Sequence, residues 1–185
     1  MQKPVERELK ILLTKEQYEK ILHSYDFDEI IHQSNQYFDT PQETLKNNQI
    51  ALRLRTKNDK TIFTLKKRKD ATAQIELEKE ADASSLNDIQ DQQILDWMKE
   101  YQIERSQLLP SVCVSTIRHF KKLPNAELCL DEQTFENGEH DYELEYEYTK
   151  EHNGIEEFNQ ILAPLHLAYE KNCPTKVARA VARKN

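Results

Sequence analysis

Along most of this chain apolar and polar residues alternate, and only a few stretches change to helical spacing. In "PVERELKILL", residues 4 to 13, successive side chains point to opposite sides of a strand. Val5, Arg7, Leu9 and Ile11 share one side, while Glu6, Glu8 and Lys10 share the other. "TKEQYEKILHSY" opens with Thr14 and Gln17 at capping-box spacing, and Tyr18, Ile21, Leu22 and Tyr25 fall on one helical face. Strand character returns in "EIIHQSNQYFDT". It continues in "QIALRLRTKNDKTIFTLKKRK", a hairpin with its turn at Asn58-Asp59, and in "TAQIELEKEA".

Ser84 or Ser85 is the expected cap of a helical region holding Leu86, Ile89, Ile94, Leu95, Trp97, Met98 and Tyr101. Three more strands follow, "SVCVSTIRHF", "AELCLDEQTF" and "DYELEYEYT", the last two joined through Asn137-Gly138. "NGIEEFNQILAPL" reads as a helix, and Thr175 as the cap of a short final one, "KVARAVAR". The pattern predicts about seven to nine strands with about three or four helices, in one domain over residues 1–185. Short turns between successive strands imply an antiparallel sheet, hence an α+β fold.

The charged strand faces change that picture. Arg53, Arg55 and Lys57 share a face, as do Glu76, Glu78 and Glu80, and again Glu143, Glu145 and Glu147. Any one such row is the ordinary wet side of an antiparallel sheet. As a set, however, the rows are segregated by sign, and neighbouring carboxylates repel unless a cation lies between them. The helices also need apolar sheet surface to pack on. A sheet closed into a barrel, with its apolar face outward beneath the helices, meets both demands and leaves the charges lining a lumen. Its acidic side suits a hard divalent cation such as Mg²⁺ or Mn²⁺. Its basic side suits phosphate oxygens.

Composition narrows the chemistry. Only Gly138 and Gly154 are glycine, which excludes Gly-rich phosphate loops, so any phosphate must be held by side chains. A formal net charge of −7 argues against a nucleic-acid or anionic-membrane binder. The N-terminus lacks an apolar signal core, and no apolar run is long enough to span a bilayer. Cys113, Cys129 and Cys173 are few and far apart, which suits a reducing compartment. A cytoplasmic protein is the expectation. Small barrels often dimerise, so a homodimer stays open, although no exposed apolar strip marks an interface.

The order of the motifs is more specific than any one of them. Glu6-x-Glu8-x-Lys10 is followed by "YFDT", "LRLR", "TLK", "ELE", the Arg of "STIR", "LD", "YELEYE" and a late "PTK". This series, from Glu6 to Lys176, resembles the CYTH superfamily, the triphosphate tunnel metalloenzymes. The resemblance implies an eight-stranded antiparallel barrel forming a tunnel. It assigns Lys10, Arg53, Arg55, Lys66, Arg118 and Lys176 to a triphosphate, and Glu6, Glu8, Asp131, Glu143 and Glu145 to Mg²⁺ or Mn²⁺. Glu76 and Glu78 match a further acidic pair, while Glu147 is either the same face or a solvated strand end.

Two departures stand out: Asn47 and Asn48 replace a glycine found in many members, tolerating its left-handed turn, and Thr175 replaces a frequent serine. The activity implied is metal-dependent hydrolysis of a small triphosphate, inorganic tripolyphosphate first, with Glu8, Lys66 and Glu145 in catalytic roles. A class IV-type adenylyl cyclase and a non-catalytic polyphosphate or nucleotide binder are the alternatives.

Overall fold

The computed structural model describes residues 5–184; Pro4, at the head of the predicted first strand, lies outside them. Eight strands form a closed barrel: β1 (Val5–Leu13), β2 (Glu29–Asp39), β3 (Ile50–Lys57), β4 (Lys60–Arg68), β5 (Ala73–Glu80), β6 (Leu109–Lys122), β7 (Glu127–Phe135) and β8 (His140–Tyr148). Their spatial order is β1-β5-β4-β3-β2-β6-β7-β8, antiparallel throughout. Two meanders, β2–β5 and β6–β8, meet along β2 and β6, and β1 closes the other seam between β5 and β8.

Local chemistry sets the turns. Asn58 and Asp59 both adopt left-handed φ, 50° and 60°, as a two-residue hairpin requires. Helix α1 (Lys15–Ser24) carries the predicted capping box: Thr14 Oγ1 accepts from Gln17 N at 3.2 Å, and Gln17 Oε1 accepts from Thr14 N at 2.8 Å. Gly138 takes φ 81° in the β7–β8 turn.

Two expectations are corrected. Between "YFDT" and "LRLR", Asn47 ends the short helix α2 (Thr44–Asn47) and Asn48 has φ −89°; the left-handed residues are Glu43, at φ 54°, and Gln49, at φ 55°. The Asn48 side chain instead donates to Thr44 O at 2.8 Å, so it closes the helix end while the reversal passes to Gln49. In the 84–101 region, the Ser84 and Ser85 hydroxyls donate to Asp88, at 3.0 and 2.8 Å, rather than cap a helix. That local bonding competes with helix formation, and only a 3-10 turn forms at Leu86–Asp88. Helix α3 (Gln92–Glu100) is capped by Asp91, whose side chain accepts from Ile94 N at 3.2 Å.

The barrel is apolar outside and charged inside. Leu52, Leu54, Phe63, Leu65 and Leu77 point outward beneath Ile94 and Met98 of α3. On the opposite side, Leu9, Leu128, Leu130, Leu144 and Tyr146 are covered by Tyr18 and Ile21 of α1 and by Phe158 and Leu162 of α4 (Gly154–Leu162). The tyrosines of β8 thus serve barrel-to-helix packing. The last helix, α5 (Lys176–Ala182), capped by Thr175, behaves differently. Val177, Ala180 and Val181 pack on Tyr37, Val112, Val114 and Phe135. The register puts those residues on the lumen face, since Tyr37 lies opposite Arg53, and Val114 opposite Asn35 and Phe135. Helices α1, α3 and α4 cover the outside, whereas α5 enters the charged interior. Among the described residues no helix is long and apolar enough to cross a membrane.

Candidate active site

Because directly paired residues point to the same side, the registers bring the charged rows together. Lys66 lies opposite Glu76, Lys10 opposite Glu145, Arg118 opposite Asp131, and Asp131 opposite Glu143. All six predicted phosphate-binding cations, Lys10, Arg53, Arg55, Lys66, Arg118 and Lys176, line one cavity of about 830 Å³, with Glu8, Glu145 and Glu147.

On the β3–β4 wall the cations are incompletely matched. Arg53 is 8% exposed and donates through Nη1 to Tyr37 Oη at 3.4 Å, but its buried Nε and Nη2 have no hydrogen-bond partner. Its nearest carboxylate, Glu76, is 3.9 Å away. Arg55 donates to Asn35 Oδ1 at 3.1 Å and lies 3.7 Å from Glu78. Lys66 sits 3.0 Å from Glu76 and 3.8 Å from Glu6. Burial alone would lower the lysine pKa, but Glu76, Glu6 and Glu8 outweigh it, so Lys66 stays charged.

The β7–β8 wall is crowded with carboxylates. The Lys176 ammonium stands between Glu143 and Glu145, 2.5 Å from each, and 3.0 Å from Asp131. Arg118 grips Asp131 with two bonds of 2.8 and 2.7 Å and also donates to Glu145. Asp131, Glu143 and Glu145 bring carboxylate oxygens within 4.8 Å of one another. Three converging hard donors fit a divalent cation, and the ammonium among them shows that the spot is built for positive charge.

Glu6 and Glu8 come from β1, which pairs with β8: Glu8 pairs with Lys10 and accepts from Gln74 Nε2 at 2.8 Å, and Glu6 accepts from the same nitrogen at 3.3 Å. Cys129, Glu145 and Glu147 form a second group whose ligand atoms lie within 4.8 Å of one another, and it shares Glu145. Burial pushes the Cys129 thiol well above its usual range, so it is a poor nucleophile.

Crowding separates the carboxyl groups into two kinds. Burial, with a hydrogen bond to Glu76, pushes Glu6 up to about 10, while Lys66, that same bond and Arg53 overcome burial and bring Glu76 to about 2. Burial raises Glu143 to about 7 and Glu147 to about 8. Glu145 and Glu8 are held below the usual range, because their cations outweigh burial: Lys176 and Arg118 for Glu145, Lys10 and Lys66 for Glu8.

Raised groups keep protons in the folded state that the unfolded chain sheds above about 4.5. Stability without metal is therefore expected to fall as pH rises from there through about 10, where Glu6, the most strongly raised of them, gives up its proton. Glu147→Gln removes one such group and should flatten the decline. Melting temperature against pH in chelator checks this; a variant profile parallel to the wild type would refute it.

Two further charged side chains reach the interior. Glu147, left undecided, faces the lumen 3.8 Å from Arg118. Arg179 is 5% exposed and reaches the acidic wall from α5, with Asp141 and Gln133 as partners. Its spacing from Lys176, one helical turn, was the available signal.

The lumen of this closed barrel thus sets unpartnered guanidinium donors of Arg53 against converging carboxylates on the facing wall. The sequence model of the CYTH domain matches residues 5–180, and the chain belongs to that family. It is 30% identical over 169 residues to "Putative triphosphatase YjbK" of Bacillus subtilis (strain 168), covering 88% of this chain and 87% of the relative. Among solved structures, "a putative adenylate cyclase" from Bacillus halodurans superposes with a TM-score of 0.82 at 27% identity, covering 97% of this chain and 98% of the other. "Putative adenylyl cyclase HpAC1" from Hippeastrum, whose description reports a dominant triphosphatase activity, gives 0.71 at 20% identity, over 97% and 96% of the two chains.

Proposed function

We propose that this protein is a divalent-metal-dependent triphosphatase that removes the terminal phosphate of a small triphosphate, inorganic tripolyphosphate first among them. The observation that carries this is Arg53, a buried cation whose Nε and Nη2 have no hydrogen-bond partner. Buried donors left unmade cost about 1–3 kcal/mol each, so the position makes sense when an anion supplies the missing oxygens.

In this reading Lys10, Arg53, Arg55, Arg118 and Lys176 grip the phosphate oxygens. Lys66 stabilises the charge that builds as the bridging P–O bond breaks. Glu8 and Glu145, both held as carboxylates, accept hydrogen bonds from the attacking water and orient it. The water oxygen bonds to the terminal phosphorus, its proton passes to a carboxylate, and pyrophosphate leaves. Asp131, Glu143 and Glu145 would hold the divalent cation, which would offset phosphate charge and acidify bound water. The kinship with a relative named as a triphosphatase supports hydrolysis. Kinship with one named as an adenylate cyclase makes cyclisation of ATP the second reading. All three cysteines are free, which fits work in the cytoplasm.

The reading is tested by phosphate release from tripolyphosphate, thiamine triphosphate and ATP with Mg²⁺, Mn²⁺ or chelator. Turnover of tripolyphosphate above the others is expected; cyclic AMP from ATP without phosphate release would replace hydrolase by cyclase.

A further inference from the structure

Helix α5 has only seven residues, too few to be stable in isolation, and its apolar contacts come from the small side chains Val177, Ala180 and Val181. Something else must fix its position, since it delivers Lys176 to the lumen. Arg179, one turn further on, is hydrogen-bonded through all three guanidinium nitrogens. Nε donates to Asp141 Oδ2 at 2.8 Å, and Nη2 to Asp141 Oδ1 at 3.3 Å and Gln133 Oε1 at 3.2 Å. Nη1 donates to Glu143 Oε2 at 2.5 Å and to the Pro174 carbonyl at 2.6 Å.

These bonds tie the helix, and the residue just before its cap, to β7 and β8. Glu143 is shared: Oε2 takes Arg179, while Oε1 takes Lys176 at 2.5 Å. Lys176 lines the cavity, whereas Arg179 does not, so Arg179 does not touch a ligand held there.

We infer that Arg179 is a positioning residue for triphosphate binding, acting through Lys176 by anchoring α5 to the acidic wall. The inference rests on reading Lys176 as a triphosphate ligand. A lysine at 179 keeps the charge beside Asp141 and Glu143, but a single ammonium cannot reproduce the planar fork that also reaches Gln133 and Pro174. Arg179→Lys should therefore fold and yet misplace Lys176.

A double-mutant cycle separates this role from general support of the fold. Diimidotriphosphate, whose P–N–P bridges resist hydrolysis, is titrated calorimetrically with Mg²⁺ present into wild type, Arg179→Lys, Lys176→Met and the double variant. The charge-neutral pair Arg179→Gln with Asp141→Asn is carried alongside, with and without Lys176→Met, in case the lysine variant folds poorly. Each single change should weaken binding about tenfold, and the double variant should match Lys176→Met alone to within about threefold. Wild-type affinity in Arg179→Lys, or effects that multiply to about a hundredfold, would overturn the inference. Absence of binding by the wild type would instead overturn the triphosphate reading, and this inference would fall with it.

Discussion

Arg53→Met is expected to reduce kcat/KM for tripolyphosphate about a thousandfold while raising the melting temperature. The two effects have opposite signs for one reason. The Arg53 guanidinium is buried, its Nε and Nη2 make no hydrogen bond within the protein, and its nearest carboxylate is 3.9 Å away. It bears the cost of desolvation without close partners, and methionine fills similar volume without that cost. Glu76 is not stranded by the change, because Lys66 remains at 3.0 Å. The loss appears only with substrate, when charge-assisted bonds to phosphate oxygens are missing; such a donor is worth about two to three orders of magnitude in rate. Steady-state kinetics and thermal denaturation of the same preparation check both signs. A variant that loses stability and activity together would make Arg53 a structural residue.

Lys176→Met should have the opposite character: unstable without metal and rescued by it. Its ammonium is within 3.0 Å of Asp131, Glu143 and Glu145. Removing one member of a buried ion cluster leaves uncompensated charge and typically costs about 3–5 kcal/mol. A divalent cation at the same three carboxylates supplies the missing charge, so Mn²⁺ or Mg²⁺ should raise the melting temperature more in the variant than in the wild type. Equal metal-induced shifts in the two proteins would mean that the cation binds elsewhere.

Much of the lumen was legible because strand side chains alternate with a period of two. Glu6-x-Glu8-x-Lys10 and Arg53-x-Arg55 announce a common face without any knowledge of partners, and the need of helices for apolar sheet turns that face inward. Which rows meet was not legible in the same way. β1 lies between β5 and β8, and β2 beside β6, so Lys10–Glu145 and the junction of the two meanders are long-range pairings. The direct pairing of β1 with β8 sets Glu8 opposite Glu147 and Lys10 opposite Glu145.

Arg179 escaped notice because "KVARAVAR" reads as an ordinary short amphipathic helix, and only the closed barrel shows that this helix lies inside. The Ser84 and Ser85 cap failed on local competition: Asp88 takes both hydroxyls, leaving Asp91 to start the helix. The raised carboxyl groups of Glu143 and Glu147 depend on burial within the assembled lumen, a property of no single strand.

The central claim is that the lumen cleaves a triphosphate with a divalent cation. Phosphorus NMR of tripolyphosphate incubated with the wild-type protein and Mg²⁺, in parallel with chelator and with Glu8→Gln, tests it most directly. The expected result is orthophosphate and pyrophosphate in equal amounts, formed by the wild type with Mg²⁺ alone. Unchanged tripolyphosphate with Mg²⁺ and with Mn²⁺, or equal cleavage by Glu8→Gln, would contradict the account.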